Sequence, residues 1–530
     1  MPASPDLLNI SSSHRPKRRV QRLLALLCAA SLLVPAAPTV VVAQSRLPAL
    51  GESASDDLSI GSERRLGDQI MRNIRRDPDY LDDPVLLEYL QSLWDPLVAA
   101  ARQRGDIGPD LEQRFAWEAF LVRDRSVNAF ALPGGYVGVH LGLIAMTSTR
   151  DELASVLAHE LTHVSQRHIA RSMANSARQS MIGMVTMILG MVAASRSTRM
   201  DGANALITGG QAVAAQGQLN FSRDAEREAD RIGFSVLTQA GYAPGGMAAM
   251  FEKLENNSRL NDSGGFPYLR THPLNAERIG EARARQGASS AAAPVGVLAH
   301  AAAQARAKVM MDTRIDALRR WQALEAPAGA PPAERLLAAY ASALASTLLR
   351  DWSRADTALP IAVAAARGDA RAQRDVALLQ AQSLLARGDT ERAGEVLQPF
   401  AKSDGQPSSR AVMLLAAQVA TPRDKAALQR SAEELQTWAS LHPHDATVWS
   451  QLGRTWEKLD QPLRALRAEA ESRIALGDLM GGVDRLRAGQ RLARSSRSTD
   501  FIEASVIDAR LKEIEAQARR REAEDRQREG

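Results

Sequence analysis

The sequence predicts a mainly α-helical protein: an α+β domain with a small β-sheet, followed by an α-solenoid of tetratricopeptide-like helical hairpins. Three observations carry that reading. Aromatic residues are only 4% of the chain while Ala, Leu and Arg abound, and strands draw on aromatic and β-branched side chains where helices need neither. Strand-like patterning is confined to one passage, Phe115 to Ile144. Beyond about residue 300 the chain is Ala/Leu/Arg-rich helix punctuated by Gly368-Asp369, Gly388-Asp389 and Gly477-Asp478. At 530 residues, more than one folding unit is expected, and 45% hydrophobic with 24% charged residues excludes a disordered chain and a polytopic membrane protein.

Taken in order, residues 1–43 are expected to be a cleaved signal peptide. Arg15, Lys17, Arg18, Arg19 and Arg22 precede the apolar run Leu23 to Val34, and Val41-Val42-Ala43 offers the small residues a signal peptidase reads. An uncleaved anchor helix is the competing reading, and Pro35 and Pro38 interrupt it. With Asp6 this segment carries +4 of the formal +5, so the basic balance belongs to the leader and gives no reason to expect nucleic acid. The single cysteine, Cys28, also lies there, which excludes an internal disulfide and a four-cysteine zinc knuckle. Leu27 before it speaks against a lipoprotein signal. Residues 46–60 read as a polar lead-in, 60–285 as the α+β domain, 286–296 as an Ala/Ser/Gly/Pro linker, 297–509 as helical repeats, and 510–530 as a charged helix or tail. The best repeat match is Trp449-x-x-Leu452-Gly453-x-x-Trp456 followed by Ala465. Met181 to Ala194 is apolar but too short to span a bilayer; its Met181, Met184, Met187 and Met191 suit either a pliable surface touching membrane or unfolded chains, or a core helix.

The chemistry concentrates at His159-Glu160-Leu161-Thr162-His163, an H-E-x-x-H pattern that chance would supply about 0.01 times in such a chain. Thr149-x-x-Glu152 is a capping pattern, and Leu153, Val156, Leu157, Leu161 and Val164 make a buried stripe, so the motif lies within a helix. Residues four apart share a helix face, so both imidazoles can bind one Zn²⁺ while Glu160, beside the open position, takes the proton of an attacking water. A third protein ligand is needed, and two candidates compete. His168 follows His159 by nine residues, which turns it to the opposite face and makes it a solvated helix-end histidine. Glu226, in Ser222-Arg-Asp-Ala-Glu226-Arg-Glu-Ala-Asp230, opens a second helix, and Asp230 one turn on can orient an imidazole through its other nitrogen.

These motifs resemble the gluzincin metallopeptidases that include HtpX, the CAAX prenyl endopeptidase and the periplasmic BepA (YfgC) type. The resemblance rests on Asn128-Ala-Phe-Ala-Leu-Pro-Gly-Gly-Tyr-Val, then Asp151-Glu-Leu-Ala-Ser-Val-Leu-Ala-His-Glu-Leu-Thr-His-Val, then Glu226-x-x-Ala229-Asp230, and spans about 60–285. It implies a zincin-type fold, one zinc ion per chain held by His159, His163 and Glu226, Glu160 as general base and Asp230 behind the ligands. His272, in Thr271-His272-Pro273, matches the family's additional active-site histidine, either an inhibitory fourth ligand or a stabiliser of the transition state. It further implies a periplasmic endopeptidase of a Gram-negative cell acting on unfolded or misassembled outer-membrane proteins, with the repeats meeting the barrel assembly machinery. A chaperone or scaffold whose peptidase site is rarely used is the alternative. The family's cysteines are missing after the leader, so no disulfide tethers the two parts. Substrate is expected to add to a sheet edge, with Tyr136, Val137, Gly138, Val139, His140 and Leu141 as the candidate edge strand.

Overall fold

A computed structural model describes residues 59–174, 222–260, 267–287, 297–401, 409–420, 424–495 and 500–529. The expected leader, the Met-rich run and nearly all of the expected linker lie outside the described residues. The first part of the chain forms α1 (Ile60–Ile74), β1 (Tyr80–Leu81), α2 (Pro84–Arg104), α3 (Pro109–Arg114), β2 (Glu118–Val122), β3 (Ala129–Leu132), β4 (Tyr136–His140), α4 (Leu141–Met146), α5 (Arg150–Ser165), α6 (His168–Ala174), α7 (Arg223–Gln239), α8 (Gly245–Leu260), α9 (Tyr268–Thr271) and α10 (Ala276–Gln286). Helix starts follow their caps: the side chains of Asp83, Thr149, Ser222 and Asn275 accept from the N–H groups of Leu86, Glu152, Ala225 and Arg278.

The four strands pair in the order β1-β2-β4-β3, with β2 parallel to β4 and the other pairs antiparallel. Both faces of the sheet are covered. Ala119, Leu121, Val137 and Val139 join the core around α2, α5 and α7, whereas Phe120, Val122, Leu132 and Tyr136 pack with Ile70, Met71 and Ile74 of α1. Strands buried on both faces lose the polar alternation of a half-exposed sheet, which is why this passage reads as nearly continuous apolar sequence.

This pairing corrects the expected substrate strand. Tyr136–His140 lies between β2 and β3 and is buried throughout, so neither of its edges is open, and Leu141 begins α4. Among the described strands the sheet's free edges belong to β1 and β3. Pro133-Gly134-Gly135 joins β3 to β4 as a hairpin, and the edge strand is the one before that turn.

The helix α5 is the centre of this part. Asp151 to Ser165 are all buried, and α2, α7, α8 and β3 pack on it. At Gly233 a Cβ atom would meet Ala158 O at 3.1 Å and His159 Cα at 3.2 Å, so the missing side chain lets α7 lie close against α5 at the motif.

The rest of the chain forms α11 (Val297–Met310), α12 (Ile315–Gln322), α13 (Pro332–Leu349), α14 (Trp352–Ala365), α15 (Ala370–Ala386), α16 (Thr390–Leu397), α17 (Arg410–Val419), α18 (Lys425–Leu441), α19 (Ala446–Lys458), α20 (Pro462–Ala475), α21 (Leu479–Ser495) and α22 (Phe501–Glu529). The fold is therefore mainly helical with one small sheet, as composition and patterning predict. Neighbours in sequence are neighbours in space from α18 through α22. Trp449, Leu452, Gly453 and Trp456 are buried, and Gly453 faces Ala465 O across the α19–α20 contact. Every described residue falls within one compact unit, Ser53–Gly530. The helix α11 packs on α2 and α4 as well as on α13 and α15. Its His300 accepts from Tyr89 Oη at 2.6 Å and donates to Thr147 O at 3.0 Å, and its Arg306 binds Asp83 through Nε at 2.8 and 2.9 Å. No described helix is long and apolar enough to cross a membrane.

Candidate metal centre

Side chains from three places converge on one point inside the first part of the chain. His159 and His163 come from successive turns of α5, Glu226 from the first turn of α7, and His272 from the residue after α9; one potential ligand atom of each lies within 4.8 Å of all the others. The Nε2 atoms of His159 and His163 are 3.0 Å apart, Glu226 carboxylate oxygens lie 3.5 Å from each of them, and His272 Nδ1 stands 3.0 Å from Glu226 Oε1 and 3.3 Å from His159 Nε2. A tetrahedral ion with bonds near 2.0–2.1 Å has ligand–ligand edges of about 3.3 Å, so the four donors are spaced to hold Zn²⁺. Both Glu160 oxygens are buried without a hydrogen-bond partner beside this cluster, with His272 Nε2 3.4 Å from Oε1. A carboxylate left so is costly in a merely structural site and expected in one that handles protons.

Behind the donors the chain supplies two orienting relays. Asp230 Oδ1 is 2.9 Å from His159 Nδ1, so that nitrogen carries the proton and Nε2 presents its lone pair to the centre. His163 Nδ1 meets His168 Nδ1 at 2.8 Å, and His168 Nε2 meets Glu228 Oε2 at 3.0 Å. The consistent direction runs from His163 through His168 to Glu228, which again frees Nε2. Sequence reasoning placed His168 in solvent. It is 2% exposed, because Arg167 takes a positive φ of 52° and ends the regular turn count, which redirects the chain after Gln166. The outward face computed for an unbroken helix therefore does not apply.

Arg278 was not found from sequence. Its guanidinium sits 2.8 Å from Glu226 Oε2 and binds both Asp230 oxygens at 2.7 and 2.8 Å, so it fixes the two acids of α7 from α10. Burial opposes the ionised form of Glu226, yet the neighbouring His272 and His159 hold its carboxyl far below the usual range. Burial likewise opposes charge on His159, but Asp230 and Glu226 raise it to about 10, and His163, buried beside it, is pushed well down.

An H-E-x-x-H helix, a glutamate from a second helix and a small mixed sheet are the parts that the resemblance of the motifs to gluzincin metallopeptidases implies. Residues 89–286 match the model of Peptidase family M48, a family of zinc metallopeptidases. The chain is 38% identical over 267 residues to the putative beta-barrel assembly-enhancing protease of Vibrio cholerae, which covers 50% of this chain and 52% of the relative. It is 36% identical over 265 residues, with the same coverage, to the beta-barrel assembly-enhancing protease of Escherichia coli K12. The mitochondrial metalloendopeptidase OMA1 of Saccharomyces cerevisiae is 28% identical over 195 residues, 36% of this chain and 53% of the relative. The chain thus spans about half the length of the curated relatives it matches. The resemblance drawn from the motifs is borne out for this domain.

Proposed function

We propose that the protein is a zinc-dependent endopeptidase, exported to the periplasm of a Gram-negative bacterium, that cleaves misfolded or stalled outer-membrane proteins and assists their assembly. The buried quartet of His159, His163, Glu226 and His272 beside Glu160, whose carboxylate accepts no hydrogen bond, carries the enzymatic part of this reading. The relatives named as beta-barrel assembly-enhancing proteases support the class of client.

In this reading His159, His163 and Glu226 hold the ion. When bound, zinc supplies Lewis acidity that polarises the scissile carbonyl and lowers the pKa of a water. Glu160 accepts the proton of the attacking water and passes it to the leaving amide nitrogen. Asp230 and the His168–Glu228 pair keep both imidazoles in the ligating tautomer. An extended substrate adds to the edge of β3. His140 N–H donates to Asn128 O, so with the antiparallel register Asn128, Phe130 and Leu132 bond inward to β4. The main-chain groups of Ala129 and Ala131 are left for the substrate.

His272 fills the fourth position here, and with the five site residues at most 2% exposed the centre is closed. That closure favours His272 as a latch, and equally supports the second reading, a scaffold whose peptidase site is seldom used. The helices from 297 onward serve as a tetratricopeptide-like platform for the client or the assembly machinery. Glu160→Gln is the test. It should abolish cleavage of an unfolded outer-membrane protein, with zinc content and thermal unfolding unchanged. Substantial residual cleavage by the metallated variant would remove Glu160 from its role.

A further inference from the structure

Helix α5 is capped by Gln166, and the next residue, Arg167, stands at a φ of 52°. A helix commonly closes on a left-handed residue at this place, and glycine is the usual occupant because a Cβ atom is crowded in that conformation. An arginine persists there only where its surroundings hold it. Arg167 Nε donates to Glu63 Oε2 at 2.9 Å, and the Glu63 side chain is 3% exposed. Glu63 is the one charged group on the buried face of α1, whose other members are Gly67, Ile70, Met71 and Ile74. The Gly134 N–H also donates to its carboxylate. Burying a carboxylate is costly, so packing alone would favour an apolar side chain at this position. The helix that carries it is tightly seated: a Cβ atom at Gly67 would meet Pro133 O at 1.9 Å, and one at Gly134 would meet Arg64 Cα at 3.0 Å. Glu63 is therefore a charged hold on Arg167, fixed to the sheet.

What Arg167 controls is the next residue. In an unbroken helix His168 would point away from His159; after the left-handed step its ring is buried and its Nδ1 meets His163 Nδ1 at 2.8 Å. We infer that Glu63 is a positioning residue of the metal centre: through Arg167 it holds the left-handed joint that sets His168 against His163, and so keeps His163 Nε2 turned toward the ion. The inference rests on the reading of His159, His163 and Glu226 as the zinc ligands and adds the support of one of them. Two consequences distinguish it from an ion pair that merely fastens α1. The effect of losing Glu63 on metal binding passes entirely through His168, so the two losses do not add. The requirement also falls on the backbone angle at 167 and not on the guanidinium, so a glycine there dispenses with Glu63.

The test is the zinc affinity of the full chain, measured by chelator competition well below the unfolding midpoint. Arg167→Ala and Arg167→Gly both delete the guanidinium, leave Glu63 in place and differ by one Cβ atom. Glu63→Gln and Arg167→Ala should each weaken zinc binding about tenfold or more, and no further than His168→Ala does. Arg167→Gly, alone or with Glu63→Gln, should stay within about threefold of the parent. Glu63→Gln combined with His168→Ala should bind no more weakly than His168→Ala alone. A role confined to fastening α1 lowers the unfolding midpoint of both position-167 variants without separating their zinc affinities. Equal losses in Arg167→Ala and Arg167→Gly, or parental affinity in Glu63→Gln, overturn the inference. Should Glu63→Gln fail to fold, the two variants at 167 decide alone. His163→Ala is the control: if it loses zinc while Glu63→Gln does not, this inference alone fails, and if it binds zinc like the parent, the ligand reading fails and takes the inference with it.

Discussion

Glu226 presents its carboxylate to both imidazoles of α5, whereas His168 reaches the centre only through His163. Glu226→Ala should therefore strip most of the zinc in the presence of a competing chelator, while His168→Ala, which loosens one ligand, should weaken binding about 10–100-fold. Metal analysis of both purified variants across a chelator series checks this, and a costlier loss at His168 would reverse the ligand assignment. His140 tests a different force. Burial lowers its pKa to about 4 despite the nearby Asp124, and Ser126 Oγ lies 2.9 Å from its Nδ1. Above pH 6.5 it is neutral in both folded and unfolded chains. As pH falls from 6.5 toward 4 only the unfolded chain gains the proton, so stability is lost over that window, by about 2 kcal/mol at pH 4.5. With chelator present throughout, urea unfolding at pH 7.5 and 4.5 should show His140→Gln losing less than the parent. Equal losses would exclude His140 as the cause.

Among the elements, α5 was fully legible because its information is local: cap, stripe and ligand pair occupy seventeen consecutive residues, Thr149 to Ser165. The strand order was not, since β3 and β4 are symmetric about Pro133-Gly134-Gly135 and only pairing with the distant β2 decides which of them is interior. Arg278 and His168 escaped for a related reason. A buried arginine or histidine on a helix follows the same periodic pattern as a solvated one, and the acids that hold these two, Asp230 for Arg278 and Glu228 for His168, lie tens of residues away. The start of α2 shows a third case. Asp83 caps that helix, yet it also holds Arg306 of α11, 223 residues on, with both side chains about 5% exposed. Breaking such a pair leaves an uncompensated buried charge, at a cost of about 3–5 kcal/mol. Arg306→Ala should lower the urea midpoint accordingly, and Arg306→Met combined with Asp83→Asn should recover part of the loss. A double variant no better than the single one would show that the pair does not act as a unit.

On the scale of the molecule, the centre and the helices beyond 297 are coupled through α2, which packs on α5 on one side and on α11 and α17 on the other. His272 is the member of the quartet that stands outside α5 and α7. It follows a four-residue helix, its ring stacks on Tyr268, and Tyr268 N–H reaches Val127 O at 3.4 Å, just before the edge strand β3. The segment that fills the fourth position therefore also lies beside the start of the edge where substrate is to add, so one displacement would open both. A client held by the helical platform can favour the open arrangement only by binding it more tightly than the closed one. On this account His272→Ala raises basal cleavage of unfolded protein severalfold and reduces the further activation by a client. If His272 instead stabilises the developing oxyanion, the same substitution lowers turnover by about 10²–10³ with zinc retained. Steady-state kinetics of the full chain and of a chain ending at residue 296, each with and without the substitution, separate the two, and a fully metallated but inactive His272→Ala rejects the latch.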